Sequence, residues 1–142
     1  MLAETAIANL LYTYAERFDA GDFDGAAALF DRATIILAGG RETDGAELLG
    51  IWCARIVVYP CGTPRTKHLV TNPIIAVDEA TGTATCRSYY TVLQQVDDKP
   101  LQVIAAGRYH DAFRRDGGEW HFASRDYSHF DMAGDLTGHL LG

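Results

Sequence analysis

The chain has 142 residues, 48% of them hydrophobic and 22% charged, with a formal net charge of −7. That length and apolar content suit one domain, residues 1–142, with a sizeable core. The acidic balance argues against nucleic acid or an anionic membrane surface as partner, because both need a basic face.

No apolar run approaches the ~18 residues of a membrane span. The opening residues, MLAETAIANLL, carry an acid and no basic segment, which argues against a signal peptide. Cys53, Cys61 and Cys86 are odd in number and widely spaced, so they form neither a disulfide framework nor a CxxC zinc site. They read as reduced thiols of a cytoplasmic protein.

Ile7, Leu10, Leu11, Tyr14 and Phe18 recur at three- and four-residue steps, the apolar stripe of an amphipathic helix. Ala20-Gly21 supplies its stop, and Asp22 caps a second, shorter helix carrying Phe23, Ala26, Ala27, Leu29 and Phe30. Residues 33–37 read as a short strand, Gly39-Gly40 as a turn and Arg41 to Thr43 as a returning arm. Thr43 or Asp44 then caps a third helix from Ala46 to Val57, with Leu48, Leu49, Trp52 and Ile56 at helical spacing. Tyr59 to Arg65 is a loop containing two prolines.

The remainder is strand-rich. Residues 66–77 alternate, with Asn72-Pro73 marking a bulge or an edge. Residues 83–96, 101–115 and 119–127 follow as strands, separated by turns at Glu79–Gly82, Asp97–Pro100 and Asp116–Gly118. The tail from Ser128 has little periodicity and reads as a flap or an oligomer arm. Helices segregated from an antiparallel meander mean an α+β fold. A long curved sheet wrapping the first helix would leave a cavity between them, the natural ligand site.

Two residues sit against local rules. Asp19 falls in the last turn of the first helix, where the macrodipole disfavours a carboxylate. His68 opens the long strand on the same face as Thr66, Val70 and Asn72, so it faces partly buried surroundings. A solvated helix end and a structural histidine account for each alone. If the two touch, the carboxylate orients one imidazole nitrogen and leaves the other free as a base. Tyr14, on the apolar stripe, is either a core tyrosine or a donor to a substrate oxygen. Tyr90 shares a face with Cys86, Ser88 and Val92 and is either a pocket wall or core; Trp52 and Val70 are further candidate substrate contacts. His110 and Asp111 are consecutive on a strand and point to opposite faces, so they make no dyad. His121, His129 and His139 lack HExxH spacing, and the Gly-Gly pairs are turns, so no metal or cofactor is expected.

FDAGDFDGAAALF, TKHLVTN, GRYHDAF and DGGEWHFASRDY together resemble the SnoaL-like branch of the nuclear-transport-factor-2-like superfamily, across the chain to about Tyr127. The fold this implies is a cone, in which a curved antiparallel sheet surrounds a deep pocket closed by three N-terminal helices. Within the superfamily the chain is most similar to the group containing scytalone dehydratase, bile-acid 7α-dehydratase and hexachlorocyclohexane dehydrochlorinase. The resemblance implies that Asp19 and His68 form that group's proton-abstracting pair. Tyr14 matches the dehydratase tyrosine, and Arg125 a pocket arginine found in some members. The dehydrochlorinase has a lysine where Tyr14 stands, which favours loss of water over loss of halide.

The expected function is therefore a cofactor-free lyase acting on a small hydrophobic ring compound, polyketide-like or steroid-like. An isomerase using the same dyad is one alternative. A non-catalytic binding module or accessory subunit of the same fold is another. A homo-oligomer, dimer or trimer, is expected through an outer sheet face carrying Leu69, Thr71, Tyr89 and Leu93.

Overall fold

The N-terminal apolar stripe forms α1 (Ala3–Asp19), which buries Ile7, Leu11, Tyr14 and Phe18 on one side. The computed structural model describes residues 1–142. Gly21 closes the helix at φ +80°, with its own N–H and that of Asp22 returning to the Phe18 and Arg17 carbonyls. A Cβ at position 21 would lie 2.1 Å from the Gly62 carbonyl oxygen. Glycine there lets the loop before the long strand cross directly over the helix end.

Asp22 caps α2 (Phe23–Ala28) by accepting from the Gly25 N–H at 2.9 Å. Asp44, rather than Thr43, caps α3 (Gly45–Arg55), accepting from the Glu47 N–H at 2.9 Å. Thr43 instead bonds the Glu47 side chain.

The strands are β1 (Thr34–Ile36), β2 (Glu42–Thr43), β3 (Thr66–Asp78), β4 (Thr83–Gln94), β5 (Gln102–Asp116), β6 (Glu119–Asp126) and β7 (Phe130–Ala133). They lie in the order β2-β1-β6-β5-β4-β3, with β7 also on β5. Only β1 against β6 is parallel. The long β5 is shared: β6 pairs with its C-terminal half and β7 with residues 105–107. β3 is both an edge strand and bulged between Thr71 and Ile74, where Asn72 takes φ +43°.

The curved, unclosed sheet and its three helices make the expected α+β cone. Two features differ from the sequence reading. The tail is not irregular throughout, since 130–133 forms β7; all four of its residues are exposed, so no burial contrast marks them. The chain end then returns to the helices. Leu140 bridges Ile56, the Val57 N–H donates to the His139 carbonyl at 2.8 Å, and the Leu141 N–H donates to that of Arg55 at 2.8 Å. The concave space is also filled rather than open: Tyr14, Phe18, Trp52, Tyr109, Phe113 and Phe122 pack into one core. No helix is long and apolar enough to cross a membrane.

Gly21→Ala should lower stability by at least about 1–2 kcal/mol from the left-handed conformation alone, and further from the clash with Gly62. Urea unfolding that places the variant level with wild type would refute this account of the helix–loop crossing.

Candidate active site

The end of α1 meets the start of β3. As the sheet edge, β3 has N–H groups that face away from β4 and need partners. Asp19 takes one of them: its Oδ2 accepts from the His68 backbone N–H at 2.7 Å. Its Oδ1 accepts from the Thr66 hydroxyl at 2.8 Å and pairs with His68 Nδ1 at 2.6 Å. Three donors from two residues thus offset the unfavourable helix-end position of the carboxylate. Both side chains are 7% exposed.

A carboxylate only accepts, so Nδ1 of the neutral imidazole carries the proton and Nε2 presents its lone pair. No protein group bonds Nε2. The ring lies edge-on to Phe18 at 4.9 Å and to Tyr14 at 6.3 Å.

Tyr14 is 2% exposed and its hydroxyl accepts from that of Tyr127 at 3.0 Å, with the Tyr109 hydroxyl as the neighbour that its own proton faces. Burial raises the Tyr14 pKa well above its ordinary value, partly opposed by Arg125. Arg125 is fully buried, its guanidinium carbon 4.4 Å from the Tyr14 ring centre and 3.7 Å from that of Tyr109. It forms a fork with Asp111, Nε to Oδ1 at 2.8 Å and Nη2 to Oδ2 at 3.0 Å. Burial disfavours its charge, but the Asp111 carboxylate and the neighbouring tyrosines prevail and hold it above its ordinary value. Nη1 has no partner. The sequence reading did not foresee Asp111 as the holder of Arg125, nor Tyr127 as the partner of Tyr14.

A cleft of about 730 Å³ runs between α1 and the edge of the sheet. Asp19, Thr66, His68 and Val70 line it, with Arg65 and Lys67 at its rim. Tyr14, Trp52, Tyr90 and Arg125 do not line it. Trp52 packs edge-on to Phe18 at 5.2 Å, and Tyr90 stacks on Tyr109 at 4.5 Å. The structure therefore brings together Asp19, His68 and Val70 at the cleft. Tyr14 and Arg125 lie behind them, and Trp52 and Tyr90 are parts of the core.

His139 comes from the tail and is 8% exposed, with Phe18 at 6.3 Å. Burial lowers its pKa to about 4, helped by nearby His68 and opposed by Asp19. Nothing local in the sequence marks it. No group of three or more His, Cys, Asp or Glu side chains is arranged to hold a metal ion.

A helix-closed, curved antiparallel sheet is the cone fold of NTF2-like proteins. The model of the SnoaL-like domain matches residues 1–126, and the chain belongs to that family. Solved structures share the cone at low identity. A protein of unknown function from Mycobacterium tuberculosis is 20% identical with a TM-score of 0.70, covering 91% of this chain and 72% of its own. A candidate scytalone dehydratase from Novosphingobium aromaticivorans is 20% identical with a TM-score of 0.65, covering 87% and 80%. The beta subunit of a candidate aromatic-ring-hydroxylating dioxygenase from the same organism is 18% identical with a TM-score of 0.70, covering 96% and 95%. No curated protein matches the chain.

The buried His139 gives a pH dependence. Its folded pKa near 4 lies below the ordinary 6.5, so the unfolded chain binds more protons between those values. Its contribution to stability is complete above pH 6.5 and lost as pH falls toward 4, on the order of 1–3 kcal/mol. His139→Phe should flatten the unfolding free energy across that window. An unchanged slope would show that His139 is not buried neutral.

Proposed function

We propose that the chain is a cofactor-free lyase that removes water from a small hydrophobic ring compound. The observation that carries this reading is the Asp19–His68 contact at 2.6 Å, with Nε2 free of any protein partner. His68 Nε2 takes a proton from a carbon beside a carbonyl, and the C–H electron pair becomes an enolate. Once the aromatic side chains admit the ligand, Tyr14 turns its hydroxyl proton from Tyr109 to the enolate oxygen, and the charge of Arg125 behind its ring favours the negative charge developing there. As the enolate reforms the carbonyl, a carbon–carbon double bond forms and the β C–O bond breaks. The departing hydroxide takes the His68 proton and leaves as water. Asp19 holds the tautomer and steadies the imidazolium.

Val70 would bound the substrate beside His68, and Trp52 and Tyr90 would form its apolar walls once the aromatic side chains move aside. The same proton abstraction without a leaving group makes the chain an isomerase. The likeness to a dioxygenase beta subunit over 96% of the chain supports an accessory role as the second reading. An accessory subunit has no need of a buried, oriented histidine, which is why the lyase is preferred. The domain is proposed to work as a unit of 1–142 in a homo-oligomer, because Leu69 and Tyr89 stand exposed on the outer sheet face.

The test is 3-hydroxy-1-tetralone, whose loss of water gives 1-naphthol, read by absorbance. His68→Gln should reduce turnover by roughly 10²–10⁴-fold, and Asp19→Asn should also reduce it. Full turnover in His68→Gln would reject the base. Deuterium uptake by α-tetralone in D2O without any water loss from the hydroxytetralone would favour the isomerase. Light scattering at micromolar concentration should give a multiple of the chain mass; a monomer would reject the oligomer.

A further inference from the structure

Three buried polar side-chain atoms have no hydrogen-bond partner: Ser88 Oγ, Arg125 Nη1 and His139 Nδ1. The first belongs to a hydroxyl free to rotate, and the second to a group already held by Asp111. His139 is different, because neither of its ring nitrogens bonds anything in the protein. An unpartnered polar group in an aromatic interior is costly, and leucine or phenylalanine would fill the same space without that cost.

The chain nevertheless holds this ring in place from both sides. The carbonyl of Gly138 accepts from Gln94 Nε2 at 3.0 Å and from the Tyr59 hydroxyl. The backbone on the other side is tied to Arg55 and Val57. The ring neighbours Phe18, which in turn touches His68, and it feels the charges of both His68 and Asp19. Tyr14 also touches Phe18 and His68, at 6.2 and 6.3 Å, but makes no ring contact with His139. Tyr14 and His139 are thus two polar side chains that both meet the Phe18 ring, which itself packs on His68.

We propose that His139 is a substrate-binding residue of the site at His68, its unpartnered imidazole bonding a second, uncharged oxygen of the ligand. This rests on the proposed reading and narrows its substrate class. The ligand is a flat ring compound with one oxygen facing Tyr14 and a hydroxyl or carbonyl oxygen further along. A neutral imidazole suits such an oxygen, since it can donate to a carbonyl or accept from a hydroxyl. Its low proton affinity also keeps a second cation away from His68 when that residue takes up its proton.

The probe is 2,6-dihydroxynaphthalene, compared with naphthalene, by titration calorimetry on the full chain. The diol should bind wild type at least about tenfold more tightly than the hydrocarbon. His139→Phe should weaken the diol about tenfold, the worth of one net hydrogen bond, and leave naphthalene unchanged. His139→Gln should recover most of the loss. Equal weakening of both rings, or no effect on the diol, overturns the inference. If Tyr14→Phe weakens the diol and His139→Phe does not, the inference falls while the site reading stands. If neither variant matters, or wild type binds neither ring, both fall. Should His139→Phe not fold, imidazole ¹⁵N spectra of wild type decide the matter. Saturating diol should shift the His139 nitrogens, and unmoved resonances overturn the inference.

Discussion

A single carboxylate joins the two halves of this molecule. Asp19 ends a helix whose dipole repels it, and it becomes favourable only because β3 delivers a hydroxyl, a backbone N–H and an imidazole to it. The backbone bond matters as much as the side-chain pair. It satisfies an edge-strand donor that would otherwise face away from the sheet, so the helix end and the strand start are locked in register. The imidazole orientation is then a consequence of how the helix packs on the sheet. Gly21 makes the same junction passable, since any side chain there would strike the incoming loop.

Behind the pair the interior is aromatic and closely packed, with a buried cation in its middle. Arg125 lies in the corner formed by the Tyr14 and Tyr109 rings and is forked to Asp111. Alone, a buried guanidinium would be prohibitive; the carboxylate and the ring faces offset its desolvation. Tyr14 in turn accepts from Tyr127, and although Arg125 favours negative charge beside it, burial holds its pKa well above the ordinary value. The aromatic core thus backs directly onto the Asp19–His68 pair, with Tyr14 and Phe18 packed against the imidazole.

The helices were readable because their signals are local. The stripe of α1, the capping aspartates of α2 and α3, and the hairpin at Asp116–Gly118 all act over a few residues. The Asp19–His68 meeting was readable for a weaker reason: each residue was out of place by itself, and the family resemblance put them together. β7 was not readable, because its residues are all exposed and its pairing is set by β5 rather than by a pattern of its own.

By itself the sequence determined the order of elements as far as β6, through short-range periodicity and capping, while the cone and the pairing of Asp19 with His68 came from the resemblance that its motifs carry. Tertiary structure alone decided who holds Arg125. Counting back from the Asp116–Glu119 hairpin would set Asp111 opposite Ser124; the irregularity between Ala112 and Phe113 shifts the register by one and sets it opposite Arg125. It also decided that His139 should sit beside the dyad. That placement depends on where a distant chain end docks, on Gly138, Gln94 and the end of α3. Contacts between residues far apart in the chain are fixed by packing and register, which no local pattern encodes.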